Sequence, residues 1–430
     1  MTRQYILEKF LSIAITGSAY NMSKYVSEPV IRAKQTFFYD NMRCFFTGIL
    51  EAGFKTFVLL IAIRIFQAPN FCKAILSSVG FAGLLIAPVM VSYASKLDTV
   101  PATNICGYYS LLIALVLALS GITNLFWVYL ILISVARIAF KQYIPIMLDV
   151  YGNNYPKKER GYRLSYSLMI LPIATILFSP IGGYILDSGL ERYRIVLLII
   201  ALAAVGSAYS FFKIPSRPIP KPRNTTSAFG NFKIIFQDRL FLALLIIMTL
   251  TGIVTQMTTP LRAEYLANKK YGLNISNFHI SLIIVTIPYV CRILSSIFWG
   301  KLFDHLSLIK IRIIVDIFVL IGVIIFFNST TIGMLALAAV FTGIGYGGGE
   351  IIWCLWITKI VNKDQLSQYM SANTAFIGIR SFIAPFIGYF LLDSGVSFSM
   401  IGAISTALII MSIIGCLLIK GNSRFTEVYE

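Results

Sequence analysis

The chain has 430 residues, of which 57% are hydrophobic and only 13% are charged. A soluble domain carries about a quarter charged residues, so this composition excludes an ordinary soluble protein and indicates an integral membrane protein. The net charge of +18 does not indicate a nucleic-acid-binding protein, because the basic residues lie in short segments between apolar runs and form no basic domain.

The first 42 residues mix charged and apolar side chains. A short apolar patch at residues 10–15 is weakly similar to a signal peptide, but Glu8 interrupts the charged start that such a peptide needs. We therefore predict that residues 1–42 are an uncleaved amphipathic segment that lies on the cytoplasmic face of the membrane.

Twelve apolar runs follow, and most have about the 20 residues that a membrane-spanning helix needs. They cover residues 43–66, 74–94, 103–122, 125–148, 164–186, 194–213, 239–261, 279–299, 311–328, 332–359, 371–393 and 397–420. A stretch rich in Pro, Lys and Arg separates the sixth run from the seventh, which is typical of a flexible linker. The predicted organisation is an N-terminal half at 43–213, a linker at 214–238, a C-terminal half at 239–420 and a tail at 421–430.

The basic residues predict how the chain is oriented in the membrane. They concentrate in the N-terminal segment, in the linker and in alternate loops. Because cytoplasmic loops carry an excess of Lys and Arg, we expect both termini and the linker to be cytoplasmic. We expect the protein to reside in a bacterial inner (plasma) membrane.

The two halves share sequence motifs. The segment Pro180 to Gly189, which contains Leu186-Asp187-Ser188-Gly189, is echoed by Pro385 to Gly395, which contains Leu392-Asp393-Ser394-Gly395. The loop after the eighth run reads Gly300-Lys301-Leu302-Phe303-Asp304 and continues through basic residues to Arg312, and a weaker copy, Ser95-Lys96-Leu97-Asp98, follows the second run. Motifs repeated at half-chain spacing indicate an internal repeat.

The loop after the eighth run resembles the signature loop of the major facilitator superfamily, and residues 155–161 look like the P…RG turn of many of its members. The resemblance covers nearly all of residues 43–420. It implies an all-α membrane protein of twelve transmembrane helices in two pseudo-symmetric six-helix halves. It also implies alternating access, with the solute site at mid-membrane between the halves. In this resemblance Gly300, Lys301, Asp304 and Arg312 form a gating loop.

Charged side chains inside the N-terminal runs are the first candidate site residues, because a charge at the bilayer centre is costly and usually pairs or serves function. Glu51 and Lys55 lie one turn apart on helix 1, and Arg137 and Lys141 lie one turn apart on helix 4. Matching depth allows Glu51 to pair with Lys141 or Arg137. The resemblance places helices 1 and 4 at the central cavity. A structural salt bridge and a proton-carrying role for Glu51 both remain open at this point.

The C-terminal half supplies further candidates on four helices. Glu350 and Trp353 follow a glycine-rich stretch that serves either close helix packing or a flexible gate, and Arg292 either faces the cavity or reaches to the membrane interface. The full set of candidate substrate and proton-coupling residues is Glu51, Lys55, Arg137, Lys141, Gln256, Arg292, Glu350, Trp353 and Arg380.

No His, Cys and carboxylate cluster has metal-ligand spacing, and no nucleophile triad or phosphate-binding loop stands out. We therefore predict no enzymatic activity, no metal, no cofactor and no nucleic-acid partner. We predict a monomeric secondary active transporter for a small polar solute, coupled to protons. Intramembrane cations outnumber acids, which favours an anionic or zwitterionic solute. A drug or metabolite exporter of the same fold and a non-transporting membrane receptor or scaffold are the alternatives.

Overall fold

The computed structural model describes residues 28–97, 99–219, 233–271, 273–361, 365–422 and 424. Twelve long helices occupy these residues. In the N-terminal half they are α1 (Glu28–Ala52, Gly53–Phe57 and Val58–Arg64), α2 (Asn70–Ala94), α3 (Ala102–Ile122), α4 (Phe126–Phe140 and Tyr143–Asn154), α5 (Arg160–Asp187) and α6 (Tyr193–Lys213). In the C-terminal half they are α7 (Arg239–Ala267), α8 (Asn277–Ser281, Leu282–Thr286 and Ile287–His305), α9 (Leu308–Phe327), α10 (Ile332–Leu355), α11 (Leu366–Asp393) and α12 (Phe398–Ile419).

The all-helical fold class in two halves is confirmed. Within the described residues, 11 of the helices are long and apolar enough to cross a membrane. The remaining long helix, α9, has 20 residues but carries Lys310, Arg312 and Asp316. Two of these charges lie in a buried ion pair between Arg312 and Asp316, so only part of the charge on this helix is exposed.

Helix α1 begins at Glu28, well before the apolar run at 43–66. The hydropathy pattern missed this extension because it contains polar residues that the fold buries. Asp40 accepts hydrogen bonds from Arg43 at 2.8 Å and from the Tyr151 hydroxyl at 2.9 Å, and all three side chains are buried. An ion pair within α1 and a hydrogen bond from Tyr151 of α4 therefore compensate charges that the sequence presents as a surface feature. The rest of the predicted amphipathic segment, residues 1–27, and most of the linker lie outside the described residues.

The halves meet through two pairs of helices. Helix α2 packs along α11, and α5 packs against the beginning of α8. Within the halves, α3 packs on α6, α1 on α5, and α10 on both α8 and α9. We call the end of the molecule where α6 finishes and α7 begins the linker side, and the opposite end the far side.

Three of the helices that line the centre are irregular. α1 contains a π-helical turn at Gly53–Phe57, and α8 contains one at Leu282–Thr286; these two turns contact each other across the halves. α4 breaks at Lys141, where its first segment is capped. Pro145 explains the break, because proline has no N–H to donate to the carbonyl four residues earlier. π-turns often occur at functional sites because they re-aim side chains and leave carbonyls outside the regular ladder.

Candidate functional site

Two connected cavities lie between the halves, with volumes of about 530 Å³ and about 520 Å³. They share a set of lining residues, namely Phe81, Lys141, Thr255, Gln256, Tyr346, Glu350 and Trp353. Eight of the nine candidate residues line the smaller cavity, and Arg380 lines the larger one. The structure thus brings the whole candidate set to one central space, although the set came from six different helices.

Glu51 pairs with a residue on its own helix. Its carboxylate lies 3.2 Å from the Lys55 ammonium, one turn along α1. The pairing with Lys141 or Arg137 that the matching depth allows is not formed as a direct ion pair, although both cations lie near enough to act on the Glu51 carboxylate. Lys55 also donates a hydrogen bond to the hydroxyl of Tyr289 on α8, so this pair on α1 is linked to the opposite half. Tyr289 is a site residue that the candidate set omitted.

Arg137 is held by backbone carbonyls rather than by an acid. Its guanidinium donates to the carbonyl of Phe54 at 2.7 Å and to that of Ser77 at 3.5 Å. Phe54 belongs to the π-turn of α1, where the altered hydrogen-bond ladder leaves carbonyl groups open to such a donor. The Lys141 ammonium, at the break in α4, lies 5.1 Å from the centroid of the Phe140 ring.

In the C-terminal half an ion pair crosses between two helices. Arg292 on α8 lies 2.9 Å from Glu350 on α10. The interpretation in which Arg292 reaches to the membrane interface is wrong, since the side chain lines the cavity. α10 is regular through its glycine-rich stretch. A Cβ on Gly347 would stand 3.1 Å from the carbonyl oxygen of Arg292, so this glycine permits the close approach that sets Glu350 beside Arg292.

The larger cavity holds a second group of charges. Arg380 on α11 donates to the carbonyl of Met248 at 2.6 Å. Arg312 and Asp316 pair at 3.0 Å along α9, and the Ser412 hydroxyl donates to Asp316 at 2.8 Å. Arg312 was assigned to the gating loop from the sequence, but its side chain lies buried beside the cavity.

The other gating-loop residues lie away from the cavity. Lys301 and Asp304 are exposed at the linker side, and a Cβ on Gly300 would meet open space. In the described ranges, no three His, Cys, Asp or Glu side chains come together as metal ligands.

On the far side the halves are joined by a buried ion pair. Lys73 of α2 lies 2.7 Å from Glu264 of α7, and both side chains are almost fully buried. Asn268 donates to the same carboxylate oxygen at 2.6 Å. Arg64, at the end of α1, donates to Asn277 at 2.8 Å and to the carbonyl of Ile275. These contacts close the space above the central cavities.

The repeated Leu-Asp-Ser-Gly motifs also join the halves on the far side. Asp187, the last residue of α5, accepts hydrogen bonds from the backbone N–H groups of Asn277 and Phe278 at 2.7 and 2.9 Å. It therefore caps the N-terminus of α8, where a negative charge is favoured. Asp393, at the equivalent end of α11, accepts a hydrogen bond from the side chain of Asn70 at the start of α2, at 2.6 Å. The repetition of the Leu-Asp-Ser-Gly motif was the feature of the sequence that marked these two aspartates.

Comparison with known proteins gives a consistent result. The family model described as "Major Facilitator Superfamily" matches residues 44–281 and 263–427. Among solved structures, the nucleoside transporter NupG matches with a TM-score of 0.74 at 12% identity, covering 90% of this chain and 99% of that one. A mutant of the peptide transporter POT matches with a TM-score of 0.72 at 12% identity, over 94% and 100% of the two chains. A bacterial homologue of the human lysosomal transporter Spinster matches with a TM-score of 0.63 at 12% identity, covering 94% of this chain and 99% of that one. No curated protein matches the sequence.

Proposed function

Because the chain belongs to the Major Facilitator Superfamily and is therefore a membrane transporter, we propose that it is a secondary active transporter driven by protons. It moves a small polar solute, anionic or zwitterionic, by alternating access between its two halves. The observation that carries this proposal is the central space between the halves, which is lined by the charged candidate residues and closed on the far side.

The linker side is cytoplasmic in this proposal, since the basic residues concentrate there. The far side faces outward, and the transporter works as a monomer in a bacterial inner (plasma) membrane. Tags placed at residues 225 and 430 are expected to be cytoplasmic, and a tag at residue 273 is expected to be external. An external tag at residue 225 would contradict the six-plus-six topology.

Glu51 is the proton site. Its ion pair with Lys55 lines the cavity, and Lys55 is hydrogen bonded to Tyr289 in the other half. A proton on Glu51 removes the charge that holds Lys55 on α1, so protonation at this position changes a contact between the halves. A carboxylate that is partly exposed to the cavity, with its side chain 18% accessible, can exchange its proton with water there.

The test compares uphill transport with exchange in proteoliposomes. Glu51→Gln is expected to abolish solute accumulation driven by a pH gradient and to preserve solute exchange, which needs no net proton movement. Glu159→Gln is the matched control, because Glu159 forms an ion pair with Arg163 at the same spacing but on the surface. It is expected to leave both activities unchanged.

A double variant separates the proton role from a structural one. If Glu51 only neutralises Lys55, then Glu51→Gln with Lys55→Met removes both charges and restores accumulation. We expect accumulation to stay absent. Its recovery would contradict the assignment of Glu51. A non-transporting receptor or scaffold would instead tolerate neutral residues at Glu51 and at Arg137 without loss of activity.

A further inference from the structure

The charges around the two cavities are not balanced, and the imbalance defines the solute more narrowly than the proposed function does. Three acids line the cavities, and each already has a basic partner. Glu51 pairs with Lys55 at 3.2 Å, Glu350 with Arg292 at 2.9 Å, and Asp316 with Arg312 at 3.0 Å. No acid lining these cavities is left to receive a cationic group from a solute.

Three cations lining the same space form no direct ion pair with an acid among the described residues. Glu51 acts on two of them, Arg137 and Lys141, at longer range, but it is already in contact with Lys55. Arg137 and Arg380 donate to backbone carbonyls, which carry no net charge. Lys141 lies beside the Phe140 ring at the break in α4. Unpaired cations in a low-dielectric space are costly, so an arriving anion would gain both hydrogen bonds and charge compensation.

The three unpaired cations are divided between the halves. Arg137 and Lys141 belong to α4, whereas Arg380 belongs to α11. Lys141 lines both cavities, whereas Arg137 lines the smaller cavity and Arg380 lines the larger one. A single acidic group on a solute would leave cations of one half uncompensated.

We propose that the solute is a small organic anion with two separated acidic groups, one bound by Arg137 and Lys141 and the other by Arg380. This inference rests on the proposed function, whose solute it narrows from anionic or zwitterionic to dianionic. A solute held in this way bridges the two halves, so its binding energy acts directly on their relative position. Aromatic side chains in the shared lining, such as Trp353 and Tyr346, contact the apolar part between the acidic groups.

The test is a series of four-carbon compounds that differ only in their end groups. The probes are succinate, butyrate, 4-aminobutyrate, 1,4-butanediol and 1,4-diaminobutane, each added to the purified full chain in detergent while its unfolding temperature is measured. A compound that binds the native state raises this temperature. Succinate is expected to give the largest rise. An equal or larger rise with any other member, or no rise with succinate, would overturn the inference.

Variants test the two binding points separately. Lys141→Gln and Arg380→Lys are each expected to weaken apparent succinate affinity about ten- to a hundredfold, as expected for loss of a charge-assisted hydrogen bond. Arg380→Lys keeps the charge, so it guards against a folding defect while removing the planar fork. The matched control is Arg194→Gln at an exposed arginine of α6, which is expected to leave the affinity unchanged. Unchanged affinity in both cavity variants would overturn the inference.

Glycerol 3-phosphate carries its two charges on one group and so tests their separation. It is expected to bind more weakly than succinate, and tighter binding that is insensitive to Arg380→Lys would overturn the two-point arrangement. Failure of this inference is distinguishable from failure of the proposed function. Succinate binding without flux in proteoliposomes would support the inference and remove the transport proposal. Proton-driven flux of a monoanionic or zwitterionic solute, without succinate binding, would overturn the inference and leave the transport proposal intact.

Discussion

The two ends of the molecule use polar contacts in different ways. On the far side, Lys73 and Glu264, and Asp187 with the start of α8, join one half to the other. On the linker side, the Tyr369 hydroxyl donates to Asp238 within the C-terminal half, and Asn154 donates to Thr36 within the N-terminal half. The difference shows that each half is held together as a unit while the halves are fastened to each other mainly at the far side. Two units fastened at one end are suited to a rocking motion about the central cavity.

Breaking the far-side ion pair is expected to have the largest effect. Glu264→Gln leaves Lys73 buried without a counter-charge, and removal of one partner of a buried pair costs about 3–5 kcal/mol. Because the cost falls on the state in which the far side is closed, the variant is expected to favour far-side opening. The measurement is maleimide labelling of an Ala267→Cys variant in an otherwise cysteine-free background, since Ala267 is buried beside this contact.

Labelling at residue 267 is expected to be faster with Glu264→Gln than without it. Glu159→Gln is the control, because an exposed pair contributes only about 0–1 kcal/mol and Glu159 binds Arg163 within the same half. Equal labelling rates in the two variants would show that the far-side pair does not hold the halves closed.

The two repeated aspartates, Asp187 and Asp393, join the halves on the far side through contacts of different kinds. Asp187 caps a helix through two backbone N–H groups and also accepts from the Asn277 side chain at 2.9 Å, whereas Asp393 accepts a bond from Asn70. Loss of a helix cap costs about 0.5–2 kcal/mol. Asp187→Ala is therefore expected to speed labelling at residue 267 more than Asp393→Ala does. The reverse order would indicate that the capping contact is not part of the closure.

The contacts of Asp238 on the linker side lie within one half, and they make the stability of the protein depend on pH. Burial raises the pKa of Asp238, but hydrogen bonds from Arg424, the Phe241 N–H and Tyr369 outweigh it and hold the pKa below the usual 3.8. Since the folded pKa lies below the unfolded one, the stabilisation is complete above pH 3.8 and is lost as the pH falls through the folded value.

Asp238→Asn is accordingly expected to remove this acid-dependent part of the thermal stability. The loss at neutral pH is up to about 1 kcal/mol and comes from the partly exposed ion pair with Arg424, since Asn caps a helix about as well as Asp does. Because Asp238 and its partners belong to one half, labelling at residue 267 is expected to stay unchanged. Faster labelling would show that linker-side contacts also set the relative position of the halves.

The smallest effect on the closed far side is expected at the gating loop. Asp304 is exposed here, so Asp304→Asn should alter neither the thermal stability nor labelling at residue 267. Its charge is expected to matter when the linker side closes, and the variant should slow solute flux while leaving solute binding intact. Loss of binding with unchanged flux would mean that the loop has been assigned the wrong role.

Much of the fold was readable from hydropathy, because apolar runs of about 20 residues separated by basic loops leave few alternatives in a membrane. The start of α1 was not readable, since Asp40 and Arg43 are acceptable there only through their buried contacts with each other and with Tyr151. The spacing of the candidate residues along the helices correctly placed them around one central space. It did not predict which of them pair with each other. The depth of a residue along a helix does not show that the Phe54 carbonyl in the π-turn of α1 accepts a hydrogen bond from Arg137. It also does not show that Glu51 forms its ion pair with Lys55.

The proposed transport cycle requires the two halves to rock as units about the cavity. The most direct test measures two distances in the same protein by electron–electron double resonance, one between spin labels at residues 124 and 329 on the far side, the other between labels at residues 153 and 306 on the linker side. If the halves rock, acidification with solute is expected to change the two distances in opposite directions, so that one side opens as the other closes. Distances that stay fixed, or that lengthen and shorten together, would contradict it.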